Sequence, residues 1–243
     1  MRILSLLLVI LFLPTTTFSE PPKNFDQAKR LAREIFSDMR ITVYCGCNYD
    51  RELNVDQKSC GYTPRKNEKR ASKVQWEHVY PAENFGRAME SKCWTEPVCE
   101  KKNGDKYKGR GCCLKIDSDF RKMHNDLHNI IPIVGELNMD RKNFQFSMLE
   151  SSDGNYGDCN FKISFKSKRV EPRDEAKGVV ARASLYFQKE YNVNISDQQK
   201  KLFDAWNKQF PPEQWEITWD DRVYETQGNH NNYISEWEKY VTE

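Results

Sequence analysis

Two neighbouring residues, Glu77 and His78, place a carboxylate next to an imidazole at the end of an apolar segment. Asn129 follows on a second apolar segment and Asn138 on a third. A carboxylate and an amide oxygen can hold a hard divalent cation, and a neutral histidine can take a proton from water. Together these groups are what hydrolysis of a phosphodiester with one metal ion requires, so the residues favour a nuclease.

The chemistry assigns a role to three of these side chains. His78 suits the general base, because the ordinary pKa of histidine lies near neutral pH. Glu77 and Asn138 suit a single Mg²⁺ ion, which tolerates few protein ligands because it keeps several waters and binds substrate phosphate. The ion would stabilise charge on the phosphate and on the leaving oxygen.

Three further residues complete the predicted site. Arg110 or Arg141 could bind the phosphate through two hydrogen bonds. Asn129 could form a hydrogen bond that fixes the ring of His78. Taken singly, each candidate also has an ordinary structural explanation as a packed or solvated side chain. Their combination is what points to catalysis.

His124 and His128 offer a competing interpretation. They are four residues apart at the predicted end of a helix, which is the spacing of zinc hydrolases. However, Asn125 follows His124, where a metalloprotease places its glutamate base. We therefore treat a zinc-dependent hydrolase as the alternative, and expect His128 to pack beneath the site.

The elements that carry the site are predicted as two strands and a helix. Residues 74–80 read as a strand that Pro81 ends, residues 129–133 as a buried strand, and residues 134–142 as a short helix. Neighbouring residues of a regular strand point to opposite faces. Glu77 and His78 can therefore serve one site only if the first strand frays or bulges near its end.

Outside this ββα unit the pattern predicts one mixed α+β domain, residues 20–243, with no repeat and no linker. The expected helices cover 25–39, 82–89, 117–127 and 174–190, with a further helix after a capping box at 196–199, and the expected strands cover 41–44, 144–149 and 160–165.

The first 19 residues have the composition of a secretory signal peptide. Arg2 precedes an apolar run, and small polar residues lead to an expected cut after Ser19. The run is shorter than the roughly 20 residues that a spanning helix needs, which disfavours a membrane anchor. The chain has 8 cysteines, and in an exported protein an even number predicts disulfides, here four of unknown pairing. No C-x-x-C motif is present to favour a zinc site.

The net charge of +2 is small, but the basic residues are unevenly distributed. They concentrate in 65–73, 101–115 and 162–173. One such cluster is usually only a solvated surface, whereas three around a candidate site favour a polyanionic substrate.

Longer motifs around these residues resemble the bacterial endonuclease I family. The matching segments are Trp76-Glu77-His78-Val79-Tyr80-Pro81-Ala82, Phe85-Gly86, Asp126-Leu127-His128-Asn129 with Pro132, Gly135-Glu136-Leu137-Asn138, Asp140-Arg141, Tyr44-Cys45-Gly46-Cys47, Ala181-Arg182, Ala205-Trp206-Asn207-Lys208 and Gln227-Gly228-Asn229-His230-Asn231. The resemblance extends from about residue 25 to residue 233, which is nearly the whole mature chain.

The resemblance implies a ββα-metal fold and a nuclease that cuts DNA, and often RNA, with little sequence preference and leaves 5′-phosphate ends. Carried over by position, it makes His78 the general base, Glu77 and Asn138 the Mg²⁺ ligands, and Arg110, ahead of Cys112, the phosphate-stabilising arginine. Two departures are visible: the loop before Cys112 is longer than in relatives, and Ile217 stands where relatives carry a cysteine.

The sequence thus predicts a secreted or periplasmic, disulfide-bonded, Mg²⁺-dependent endonuclease. We expect a monomer that acts on DNA, and on RNA as well, with no membrane association after signal cleavage. Besides the zinc hydrolase, a protein that binds nucleic acid without cutting it remains an alternative. Digestion of a plasmid with and without EDTA would separate that binder from a nuclease.

Overall fold

A computed structural model describes residues 20–242 of the chain. The predicted signal peptide, residues 1–19, lies outside the described residues. The helices and strands in chain order are α1 Phe25–Ile35, α2 Glu68–Ala71, β1 Val74–His78, α3 Ala82–Ala88, α4 Lys92–Thr95, β2 Cys99–Glu100, β3 Lys106–Tyr107, α5 Arg110–Ile116, α6 Ser118–Asn125, β4 Ile130–Val134, α7 Gly135–Arg141, β5 Gln145–Phe146, β6 Lys162–Ser164, β7 Arg169–Glu171, α8 Asp174–Tyr191, α9 Asp197–Gln209, α10 Gln214–Gln227, α11 Asn232–Ser235 and α12 Trp237–Val241. The architecture is α+β, as predicted.

The predicted ββα unit is present. Strands β1 and β4 pair antiparallel, with Glu77 opposite Ile131 and His78 opposite Ile130. Every residue of β4 is buried, in agreement with its unbroken apolar sequence. Helix α7 begins at the residue that follows β4, so the chain turns directly from the second strand into the helix that carries Asn138.

Close packing fixes the start of α7. A Cβ atom on Gly135 would lie 2.9 Å from the carbonyl oxygen of Arg70, so a larger residue would force the helix away. The next residue, Glu136, is fully buried and accepts main-chain hydrogen bonds from Arg65 at 2.9 Å and from Asn67 at 2.6 Å. The carboxylate thus ties the loop before β1 to α7.

Helix α8 forms the centre of the fold. Its residues from Ala176 to Phe187 are all buried, as expected for a helix that is covered on every side. It packs along α9 and against α11. Arg182 on this helix pairs with Glu216 of α10, and both side chains are 1% exposed.

All eight cysteines are paired, which confirms the predicted four disulfides. The bonds are Cys45–Cys159, Cys47–Cys60, Cys93–Cys113 and Cys99–Cys112. The last two close the segment 93–113, which includes the long loop before Cys112. It contains most of α4, the β2–β3 hairpin and the first residues of α5. The two disulfides within the segment hold it in this structure despite its high lysine and glycine content.

Several boundaries differ from the prediction. Strands predicted over 144–149 and 160–165 shorten to β5 and β6, and both pair with β7, which the pattern did not indicate. The strand predicted over 41–44 is reduced to one bridge between Ile41 and Asn48. The helix predicted over 117–127 ends at Asn125, and a 3-10 turn over Leu127–Asn129 follows. In residues 20–242 no helix has the length and apolar character needed to cross a membrane.

Candidate active site

Glu77 and His78 line one cavity at the end of β1, together with Arg110, Asn138 and Arg141. The cavity has a volume of about 240 Å³. The strand predicted over 74–80 ends earlier, at His78, which is the last residue that pairs with β4, so Glu77 and His78 lie at the strand end, as a shared site requires. Both side chains are largely buried, with 6% of Glu77 and 7% of His78 exposed. The structure therefore brings together the carboxylate and the imidazole.

The hydrogen bond of His78 defines its tautomer. Its Nε2 atom lies 2.7 Å from the carbonyl oxygen of His124. A carbonyl oxygen only accepts, so Nε2 carries the proton and Nδ1 keeps its lone pair. This carbonyl is available because His124 lies in the last turn of α6, where main-chain oxygens have no partner within the helix.

The surroundings of His78 favour its neutral form. Its pKa is lowered to about 3, mainly by burial, and the charges of nearby His124 and Arg110 act in the same direction. The ring stacks on Phe25 of α1, with ring centroids 4.9 Å apart. An imidazole that is neutral, oriented and open at Nδ1 is competent to accept a proton.

Arg141 binds Glu77 and main-chain oxygens, which corrects its assignment as a phosphate ligand. It is 1% exposed, and its Nη1 atom donates to Oε1 of Glu77 and, at 2.8 Å, to the carbonyl of His78. Its Nη2 atom donates to the carbonyl of Val79 at 2.6 Å. With these donors occupied, Arg141 fixes the end of β1 and orients Glu77.

Glu77 and Asn138 provide a donor set that fits a hard cation. Arg141 contacts Glu77 through Oε1 alone, so Oε2 is not engaged by the arginine. Burial raises the pKa of Glu77, although the charge of Arg141 opposes that shift. Asn138 is half-buried, and within residues 20–242 its side-chain amide makes no hydrogen bond. A carboxylate oxygen and an unused amide oxygen on one cavity are typical ligands of Mg²⁺.

Arg110 approaches the cavity from the segment closed by the disulfides. It is the first residue of α5 and is exposed. Two residues later comes Cys112, which is bonded to Cys99. The guanidinium of Arg110 donates to the Nε2 atom of His124. The donor–acceptor distances are 2.9 Å from Nε and 2.6 Å from Nη2 of the arginine. Unlike Arg141, Arg110 has solvent-facing donors that could reach a phosphate.

Asn129 does not contact the ring of His78, and this part of the prediction is wrong. Its Oδ1 accepts from the main-chain nitrogen of Tyr80 at 2.7 Å, and its Nδ2 donates to the carbonyl of Tyr80 at 3.0 Å. Asn129 is completely buried. It therefore holds the chain just after β1, while the carbonyl of His124 performs the role that was predicted for it.

His124 and His128 do not form a zinc pair. Helix α6 ends between them, so the four-residue spacing does not place them on one helical face. The Nε2 atom of His124 is occupied by Arg110, whereas that of His128 lies 2.8 Å from the carbonyl of Asn229. His128 packs against Tyr186 beneath the site, as predicted.

The segment 227–231, which entered the sequence analysis only as part of the family resemblance, supports the site from behind. Gln227 accepts from the main-chain nitrogen of Leu127 at 2.9 Å and donates to Asp126 at 2.9 Å. With the bond from His128 to Asn229, these contacts fix the turn between α6 and β4. Two close neighbours of His78 were also missed, namely Phe25, which carried no signal beyond helical packing, and His124, which was noticed only for its zinc-like spacing.

Comparison with known proteins agrees with this geometry. The family model described as Endonuclease I matches residues 29–238. The chain belongs to the endonuclease I family. It is similar to Endonuclease-1 of Buchnera aphidicola subsp. Baizongia pistaciae, with 41% identity over 217 residues that cover 87% of this chain and 83% of the relative.

Two relatives from Aeromonas hydrophila have names that also give a location. One is an extracellular deoxyribonuclease, 37% identical over 216 residues that cover 87% of this chain and 89% of the relative. The other is a periplasmic deoxyribonuclease, 36% identical over 228 residues that cover 92% and 90%. The endonuclease I chain described here is a nuclease of the secreted or periplasmic compartment, in keeping with its four disulfides.

Proposed function

We propose that this endonuclease I protein is a Mg²⁺-dependent endonuclease that hydrolyses DNA, and RNA as well, with little sequence preference and leaves 5′-phosphate ends. The observation that carries the proposal is the hydrogen bond from His78 to the carbonyl of His124. It leaves Nδ1 as a proton acceptor in the cavity that also contains Glu77, Asn138 and Arg110.

In this mechanism the protein supplies a base, a positive charge and a metal-binding pair. Nδ1 of His78 accepts the proton of the attacking water, while Arg110 donates hydrogen bonds to a phosphate oxygen. Glu77 and Asn138 would hold the ion. When bound, Mg²⁺ supplies charge stabilisation to the phosphate and to the leaving oxygen. Arg141 keeps Glu77 oriented throughout.

The proposed substrate follows from the relatives and from the charge pattern. Two relatives are named deoxyribonucleases, and the lysines of the β2–β3 hairpin, among them Lys102 and Lys106, are exposed close in sequence to Arg110. Contacts to phosphate and sugar carry no direct sequence information, which is why we propose low specificity. Binding should weaken steeply with salt, because each phosphate contact releases counterions.

We further propose that residues 1–19 are a cleaved signal peptide and that residues 20–243 act as a monomeric nuclease domain. N-terminal sequencing of the exported protein would test the cleavage after Ser19. Light scattering of the same preparation would test the monomer.

The decisive experiment is digestion of supercoiled plasmid, single-stranded DNA and RNA by the wild type and by His78→Ala, each with Mg²⁺ or with EDTA. We expect cleavage by the wild type with Mg²⁺ only, and a loss of about 10²–10⁴-fold in His78→Ala, the usual contribution of a general base. Gln209→Ala is the control, because Gln209 is exposed at the end of α9 and is not among the residues that line the cavity. Equal cleavage by wild type and His78→Ala would refute the mechanism.

The metal and the products need separate measurements. Titration of Mg²⁺ and of Zn²⁺ into the EDTA-treated protein distinguishes the two metals, and activity restored by Zn²⁺ alone would contradict the proposal. Cleavage products that accept a radiolabelled phosphate only after phosphatase treatment would carry 5′-phosphate ends. Products that polynucleotide kinase labels without phosphatase treatment would carry 5′-hydroxyl ends, which would contradict the proposal.

A further inference from the structure

The side chain of His124 lies between the proposed base and the proposed phosphate ligand. It is 1% exposed and packs edge-on against Phe25, with ring centroids 4.8 Å apart. It also packs at a tilt against Phe120, with ring centroids 5.9 Å apart. Its ring centroid is 4.6 Å from that of His78. The imidazole is thus held in one orientation by aromatic neighbours from α1 and α6.

The Nε2 atom of this ring is a hydrogen-bond acceptor. Both donors that reach it belong to the guanidinium of Arg110, which has no acceptor atoms. Nε2 therefore carries the lone pair, and Nδ1 carries the proton, 3.2 Å from Oδ1 of Asn125. Burial lowers the pKa of His124 to about 4, and the charge of Arg110 acts in the same direction, which is consistent with a neutral acceptor.

This contact restrains an exposed arginine. Arg110 is at the first position of α5, and besides His124 its guanidinium lies over the ring of Phe25, 6.0 Å from the centroid. The imidazole takes the Nε–H and one N–H of Nη2. The remaining donors of the planar guanidinium, including those of Nη1, stay available on the opposite edge for a phosphate oxygen.

We propose that His124 is a positioning residue for the nuclease reaction, and that its neutral imidazole orients Arg110 toward the scissile phosphate by accepting two hydrogen bonds. The inference rests on the proposed role of Arg110 in phosphate binding. The same residue serves the base through its main-chain carbonyl and the arginine through its side chain. A substitution keeps the main-chain carbonyl but also changes the ring that lies against His78, so each variant is measured with and without Arg110.

Three variants test the proposal. His124→Phe retains an aromatic ring between Phe25 and Phe120 but has no acceptor, whereas His124→Gln restores an acceptor oxygen. Loss of a residue that orients a ligand typically costs about 10–100-fold. We therefore expect His124→Phe to lower kcat by about that factor with a smaller change in KM, and His124→Gln to recover most of the loss. Arg110→Ala provides the reference.

The double variant Arg110→Ala/His124→Phe separates positioning from packing. If His124 acts through Arg110, His124→Phe should lower kcat by less than about twofold in the Arg110→Ala protein, because the effects of coupled residues are not additive. A fall in the folded fraction would instead lower the rate equally in both backgrounds, and thermal melting of each variant measures that fraction directly.

Several outcomes would overturn the inference. One is a His124→Phe protein whose kcat equals that of the wild type. Another is a His124→Phe substitution that lowers kcat by the same factor with and without Arg110. A third is a His124→Gln protein as impaired as His124→Phe at equal melting temperature. If Arg110→Ala itself cuts like the wild type, the positioning role fails while the proposed function stands. The proposed function fails on its own if His78→Ala retains activity.

Discussion

Two buried arginine–glutamate pairs in this nuclease differ in how completely they are bonded. In the core, Arg182 donates to both oxygens of Glu216, from Nε at 2.7 Å and from Nη2 at 2.5 Å, and its Nη1 atom donates to the carbonyl of Phe210 at 2.7 Å. At the cavity, Arg141 reaches only Oε1 of Glu77, and its Nε atom, although buried, has no partner among residues 20–242.

The difference lies in how fully the arginine bonds each carboxylate. Burial raises the pKa of both glutamates, and the adjacent arginine opposes the shift in each case. Around Glu216 the polar groups satisfy one another, so nothing is left to bind a ligand. Around Glu77 the arginine leaves Oε2 unbonded, and this is the oxygen that we propose, together with Asn138, for the cation.

The largest effect should come from removing the charge of each glutamate in turn. Glu77→Gln should lower cleavage by about 10²–10³-fold, because it weakens a metal that supplies several kcal/mol of transition-state stabilisation. Both substitutions should reduce the free energy of unfolding by about 3–5 kcal/mol, because each leaves a buried arginine, Arg141 or Arg182, without its counter-charge. Glu216→Gln should nevertheless keep the activity per folded molecule. Activity per folded molecule and urea unfolding of both variants are the measurements. Comparable loss of activity in both would erase the distinction.

A second comparison uses two disulfides that close loops of equal length. Cys99–Cys112 and Cys47–Cys60 each have a sequence separation of 13. Replacing either pair with serine should cost about 3 kcal/mol of stability by the loop-entropy argument. Only the Cys99→Ser/Cys112→Ser protein should also lose kcat, by about tenfold or more, because Cys112 anchors the helix that begins at Arg110 and small displacements of a catalytic group are costly. Equal kcat in the two folded proteins would contradict this.

The last prediction concerns stability at acid pH and leaves activity aside. His124 in the folded protein has a pKa of about 4, below its ordinary value of 6.5, so the unfolded chain binds the proton first. Its contribution to stability is complete above about pH 6.5 and is lost as the pH falls through about 4, at a rate of at most about 1.4 kcal/mol per pH unit. Urea unfolding between pH 4 and 7 should show a shallower dependence in His124→Gln than in the wild type, and parallel curves would exclude the assignment.

The sequence was sufficient to predict the ββα unit and the residues at its end. Trp76 to Pro81 indicated a strand with a defined stop, and the apolar run before Gly135 indicated a buried strand that leads into a helix. Periodicity reports which segments are extended or helical and where they end. It was therefore enough to bring Glu77, His78 and Asn138 to one cavity.

Side-chain partners were harder to predict, because they depend on tertiary packing. Arg141 was correctly placed on the same helix as Asn138, yet its burial against Phe146 and the main chain turned a predicted phosphate ligand into a partner of Glu77. Asn129 lies in the expected segment but bonds Tyr80. No local pattern could reveal that α6 would end beside His78 and present the carbonyl of His124 to it.

That carbonyl has a consequence for how this enzyme can change. The contact that sets the tautomer of His78 is made by peptide backbone, which every amino acid possesses, so no point substitution at position 124 can delete it. A saturation library at that codon would vary the contacts with Arg110 and with the ring of His78 but would keep the carbonyl that sets its tautomer. An insertion or deletion that shifted the end of α6 would remove that carbonyl from His78, and such length changes should be absent from active descendants.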